Sequence, residues 1–201
     1  MVLDRSSAVR LAPLFVCVDA QPFMPDHLVR VASEVHEAWL DTDECTEARM
    51  VEGQARCVTV RRYLDVELAV RPAQADPLLI QPLLAAEARR HLDRVVPDEG
   101  PYADLEIRVA CLREWMPELA LPVWAPEDLL AELVVGKRRL EEVRRADWAG
   151  ALLRRLGRHV AVLDRLAPER IEVPSGGHIR LAYRRGAPPV LAVRMQQIFG
   201  A

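Results

Sequence analysis

The sequence predicts an α+β fold, with a small β-barrel or sandwich first, a helical bundle second and a β-hairpin plus short helix last. Three observations predict it. Residues 1–72 hold short Val-rich runs with stretches of period-2 alternation. Between Pro72 and Pro77 the composition switches to Leu and Ala at helical spacing. From Ile171 the chain reads IEVPSGGHIRLAYRRGAPPVLAVRMQQIFG, a strand, a turn, a second strand, a Pro-Pro stop and a short apolar helix. The boundaries that follow are 1–72, 77–168 and 169–201.

Residues 14–20, LFVCVDA, form a short apolar run consistent with a buried strand, and Pro22 and Pro25 break the chain after it. Residues 28–35 alternate loosely, so strand and helix both stay open, and 37–40 suit one helical turn. Gly53 marks a turn before RCVTVRRYLDVELAV. There Cys57, Thr59 and Arg61 share one face, Val58, Val60 and Arg62 the other, and Val66, Leu68 and Val70 align later. Residues 77–96 read as a helix that Pro82 either starts or kinks, and 103–115 as a second helix with Leu105, Val109, Leu112 and Trp115 on its apolar stripe. Short helices at 128–135, 140–145, 148–156 and 160–166 are separated by Gly136, Asp147 and Gly157. In the last segment Gly176 and Gly177 supply the positive-φ positions of a tight turn at 175–177.

Of 201 residues 51% are apolar, enough to build a core, and no apolar run reaches membrane-spanning length. The N-terminus has no signal-peptide pattern. Cys17, Cys45, Cys57 and Cys111 are scattered without a CxxC pair, and no His has a His or Cys at i+3 or i+4, so no metal site is expected. These features fit a cytoplasmic chain with reduced thiols.

Gly136-Lys137 lacks the rest of a GxxxxGK[ST] loop, which needs several backbone N–H groups converging on phosphates. There is no Asp-Glu-x-His run either, so the chain is not expected to hydrolyse ATP by itself. Ser175 stands in SGG and not in GxSxG, which argues against a nucleophile elbow and a small hydrolase; no catalytic residue is assigned.

Charge is uneven. The net charge is −3, yet residues 151–201 hold nine Arg against three acids (Asp164, Glu169 and Glu172). Such asymmetry points to an anionic partner. In KRRLEEVRR (137–145) neighbouring Glu residues absorb much of the charge. Arg154, Arg155 and Arg158, and the run Tyr183-Arg184-Arg185 before Gly186, are less compensated. Two Arg and a Tyr at an exposed loop tip can hold a phosphate and stack a base, so these six are the candidate nucleic-acid-binding residues.

The last segment also resembles HrpB-type ATP-dependent helicases of the DEAH/RHA class. The residues that carry the likeness are VPSG at 173–176, Leu181, Tyr183, PPVLAVR at 188–194, Gln196 and Phe199-Gly200. Val173, Pro174, Ser175, Gly176, Pro188, Pro189, Arg194 and Gln196 form the signature. The likeness extends upstream through LRRLGRHVAVLDRLAPER (153–170), 136–148 and 112–119, and more loosely over 6–22 and 28–40. By this resemblance, 1–72 is an OB-like barrel beyond the family's helical domains. Ala182 stands where the family has an acidic residue, so no carboxylate role carries over. The resemblance implies motor domains before Met1 that bind ATP and Mg, a segment after Gly200, and no cofactor in this chain. It implies as partners the motor domains, in cis or in trans, and single-stranded RNA or DNA. The expected function is an accessory C-terminal region that contacts nucleic acid or braces the motor. The alternative is a stand-alone adaptor docking on a separate motor chain.

Overall fold

The computed structural model describes residues 2–3, 15–23, 26–173 and 176–192. Among the described residues, strands and helices mix in an α+β arrangement with three small sheets. In the first sheet β1 (Val2–Leu3), β2 (Phe15–Phe23) and β3 (Asp26–Glu34) lie in the order β1-β3-β2, antiparallel throughout. Residues 28–34, readable as strand or helix, are therefore strand. Pro22 does not break the chain as expected. It lies within β2 opposite His27, and β2 is an edge strand, where a missing N–H is tolerated.

The second sheet orders β4 (Asp43–Val51), β5 (Gln54–Tyr63) and β6 (Val66–Pro72) as a meander. Its first turn is Glu52-Gly53, both at positive φ (51° and 73°), the backbone of a two-residue turn that suits strand twist. Among the described residues, the strands before Ala73 make these two separate sheets and do not close into a barrel.

By compactness the chain divides into two units, residues 1–46 with 59–72, and residues 47–58 with 73–201. The second unit holds the main core. Its helices are α1 (Pro77–Arg90), α2 (Leu92–Val95), α3 (Pro101–Trp115), α4 (Leu130–Leu133), α5 (Leu140–Arg144), α6 (Trp148–Leu156) and α7 (Val160–Leu166). Asp76 caps α1 by accepting from the Leu78 N–H at 2.9 Å, and Pro77 follows at the first helical position, where its missing N–H costs nothing. Pro82 lies inside α1. Gly136 (φ 72°) and Gly157 (φ 52°) adopt the left-handed backbone between helices, where a side chain would be strained.

Leu84, Leu105, Leu112, Leu130, Leu152, Leu156 and Leu163 pack around Trp148 in one cluster. The Trp148 indole N–H is satisfied by the Val143 carbonyl at 2.8 Å, and Tyr102 meets the ring edge-on at 5.3 Å. A satellite cluster joins Ala55 and Cys57 of β5 to Ile80 of α1. Hydrogen bonds from the Ala73 N–H to the Cys57 carbonyl (3.0 Å) and from the Ala55 N–H to the Arg138 carbonyl (2.8 Å) fix it.

The third sheet closes the described chain: β7 (Arg170–Glu172), β8 (His178–Arg184) and β9 (Ala187–Leu191), antiparallel in that order. The expected hairpin is thus a three-stranded meander. Gly176 has φ 79° in the first turn, and its N–H donates to the Val173 carbonyl at 2.8 Å. Pro188 and Pro189 do not stop the second strand's partner; they lie within β9. The register slips between Ala182 and Arg184, opposite these prolines, and among the described residues β9 pairs only with β8. An edge strand with a bulge accommodates residues that cannot donate. The expected terminal helix falls outside the described residues, as do Pro174, Ser175, Arg194 and Gln196.

Candidate nucleic-acid interface

Strand β8 alternates. Ile179, Leu181 and Tyr183 are half-buried, while His178, Arg180, Ala182 and Arg184 are exposed. Tyr183 packs against the main core, with its ring 6.2 Å from that of Trp115. Its hydroxyl donates to the Pro168 carbonyl at 2.6 Å, and burial pushes the phenol pKa up. Arg184 points outward and has no carboxylate partner among the described residues. Its carbonyl accepts from the Cys111 thiol at 3.4 Å, and burial raises that thiol's pKa. Arg185 and Gly186 make the β8–β9 turn, with Gly186 at φ 69° and its N–H donating to Glu114 at 3.1 Å. Arg185 reaches Glu106 of α3 at 2.5 Å.

The other three candidates follow α6. Arg154 pairs with Glu132 and lies 3.8 Å from Asp147; Arg155 lies 3.8 Å from Asp128. Arg158, in the 3-10 turn Gly157–His159, is exposed with no ion pair among the described residues. Folding therefore brings together Tyr183, Arg184 and Arg185 at one turn and Arg154, Arg155 and Arg158 along one stretch of helix. It also neutralises part of the charge asymmetry seen in the sequence. Arg154, Arg155, Arg180 and Arg185 each face an acid from the more acidic part of the chain: Glu132, Asp128, Asp104 and Glu106. All four pairs are solvent-exposed, and such pairs contribute about 1 kcal/mol or less, so a phosphate can displace a carboxylate at little cost.

A residue that gives no motif in the sequence ties α3 to the end of α7, just before the meander. Arg108 of α3 is buried; its Nε donates to the Ala167 carbonyl at 2.8 Å and its Nη2 meets Asp164 at 2.8 Å. The signal was present. Arg108 stands three residues after Leu105 and four before Leu112, in the middle of the apolar stripe of α3. Arg180 adds contacts to Asp104 and to Glu169 (3.8 Å), and the Leu181 N–H donates to the Glu169 carbonyl at 3.0 Å. Among the described residues no cluster of His, Cys, Asp and Glu could hold a metal, and no helix is long and apolar enough to cross a membrane.

Comparison with known proteins places this architecture. Residues 129–201 match the family model of the ATP-dependent helicase C-terminal region, HrpB_C. The ATP-dependent RNA helicase HrpB of Escherichia coli K12 is 35% identical over 104 residues, 48% of this chain and 13% of that protein. The crystal structure of the E. coli DExH-box NTPase HrpB shares the fold over 92% of this chain at a TM-score of 0.57 and 23% identity. A second, of the E. coli DEAH/RHA helicase HrpB, does so at 0.56. The chain spans about a quarter of those solved chains (25% and 26%). The Val173, Gly176, Pro188 and Pro189 positions lie within residues 129–201, the stretch in which this chain is similar to the C-terminal region of HrpB-type DEAH/RHA helicases.

Proposed function

We propose that the chain acts as the accessory C-terminal region of an HrpB-type helicase, contacting single-stranded RNA or bracing the motor domains while ATP is hydrolysed elsewhere. One observation carries this reading: the fold covers 92% of this chain but only a quarter of the HrpB chains it matches. The E. coli relative is named an ATP-dependent RNA helicase, which favours RNA as the strand. In this reading the contact is made by Arg184 and Arg158, exposed and free of carboxylates among the described residues, with Arg154, Arg155 and Arg185 exchanging weak ion pairs for phosphates. Tyr183 supports the turn from within and can offer only the part of its ring not packed on the core.

The first 72 residues are read as the family's OB-like region, 77–168 as its helical region and 169–201 as its signature segment. Exposed Trp39 (70%), Leu64 (78%) and Val66 (58%) favour a bracing role for the first unit, since large apolar side chains left in water suit a covered surface. The test is a titration of the chain against labelled single-stranded RNA, and against ATP by calorimetry. Weak, salt-sensitive RNA binding with no nucleotide binding supports the reading. Saturable micromolar ATP binding overturns it.

A further inference from the structure

A second polar groove lies in the helical unit, apart from the arginines of α6. Two open cavities of about 400 Å³ each share Glu106, Arg113, Trp124 and Arg185 in their walls. That volume is in the range of small-molecule sites. Arg113 lies over the Trp124 ring, 4.4 Å from its centroid. Its Nη2 donates to the Pro122 carbonyl, while its Nε is buried with no acceptor among the described residues. Burial, opposed by Glu106 and reinforced by Arg185, lowers the Arg113 pKa; the guanidinium stays charged but has lost water without full replacement. Arg185 enters the same groove from the β8–β9 turn on its pair with Glu106. The opposite wall is the Val96–Asp98 segment, held by Arg144, which donates to the Val96 carbonyl (3.3 Å) and to Asp98 (2.6 Å).

From this arrangement we infer that the groove between Trp124, Arg113 and Arg185 binds one base-and-phosphate unit of single-stranded nucleic acid. The base stacks on the part of the Trp124 ring that lines the groove and is not covered by Arg113, and the phosphate sits against the Arg113 and Arg185 guanidinium groups. The inference rests on the nucleic-acid reading above and gives it a specific subsite. An indole and two guanidinium groups lining one groove suit a planar ring joined to an anion better than an acidic peptide, which needs no stacking surface. Glu106 acts as a placeholder. It orients Arg185 and is displaced by the phosphate, at the modest cost of an exposed pair. With Glu106 and Glu114 in the walls the groove is nearly charge-balanced, so stacking and short-range hydrogen bonds, not long-range attraction, carry the affinity.

The test titrates the chain into fluorescein-labelled oligo(U) at low salt. Glu106→Gln frees Arg185 and removes a charge beside the phosphate, so binding tightens about two-fold or more. Trp124→Leu weakens it about five-fold or more, while Trp124→Phe retains most of it, because stacking needs only a ring face. Oligo(U) binds more tightly than an abasic strand of equal length. If Glu106→Gln and Trp124→Leu bind as wild type, while a triple Arg154→Ala, Arg155→Ala, Arg158→Ala variant loses binding, the nucleic-acid reading stands and the groove inference falls. Equal affinity for the abasic strand overturns the stacking. If the wild-type chain binds no oligo(U) at all, the reading itself falls, and the inference with it. Glu106→Gln changes only a part-exposed side chain, so the inference stays falsifiable if Trp124→Leu fails to fold.

Discussion

Arg108 donates to the Ala167 carbonyl across 59 residues of sequence, and the same guanidinium pairs with Asp164. One buried cation thus fastens α3 to the end of α7, just before the chain enters the third sheet. The two partners are unequally placed, because Arg108 is buried and Asp164 is 63% exposed. Arg108→Met removes both bonds, strands the Ala167 carbonyl and costs about 1.5–3 kcal/mol. Asp164→Asn leaves the bond to Ala167 intact and costs less than about 1 kcal/mol. Chemical denaturation midpoints check the order. An equal or reversed pair of effects means the ion pair, not the carbonyl, holds the junction.

The Gly176 turn is a backbone requirement. At φ 79° a Cβ would meet no atom within 4 Å among the described residues, so the backbone conformation itself is what the substitution strains. Gly176→Val costs about 1–3 kcal/mol through strain alone. An unchanged melting temperature would show that the turn accepts a branched residue.

Alkali tests burial. The pKa values of Tyr102, Tyr183 and Cys111 are all raised, in each case chiefly by burial. A raised folded-state pKa means that the unfolded chain loses its proton first. The stability these groups contribute is full below their unfolded pKa values, about 8.5 for the thiol and about 10 for the phenols. It is lost as pH rises from there through the folded values. Thermal melts should therefore be flat to about pH 8 and fall above it, and Cys111→Ala should delay the onset. A melt that falls equally early in Cys111→Ala would remove the thiol from the account.

Tyr183 separates structure from contact. Tyr183→Phe gives up the hydroxyl bond to the Pro168 carbonyl, costing about 0.5–1.5 kcal/mol. It should leave single-strand affinity nearly unchanged, since stacking uses the ring and not the hydroxyl. A loss of binding without a loss of stability would reverse these roles.

Locally encoded features were legible. Gly53, Gly136, Gly157 and Gly176 fall at turns or helix ends because positive φ is a local demand. The apolar stripe of α3 at Leu105, Val109 and Leu112 is buried as its spacing predicts. Pro22 and Pro188-Pro189 look like breaks in the sequence yet lie within strands, because proline's effect depends on whether its strand is an edge, and that is set by the sheet. Of the candidate interface, the exposed turn at Arg185-Gly186 could be read from Gly186 and the prolines that follow. The pairings Arg185–Glu106 and Arg154–Glu132 could not, since they join residues far apart in sequence. The Arg113–Trp124 contact was equally out of reach, because it depends on where the irregular segment after α3 folds back.

The central claim, that this region contacts single-stranded nucleic acid, is tested most directly by the salt dependence of RNA binding. Anisotropy of labelled oligo(U), titrated with wild type and with the Arg184→Ala, Arg185→Ala double variant across a salt series, supplies it. The account predicts wild-type affinity on the order of micromolar or poorer, falling with salt, and a slope flattened in the variant by up to about 1.4, at about 0.7 per lost phosphate contact. Binding by the variant with wild-type affinity and slope, or no binding by either protein at low salt, would contradict it.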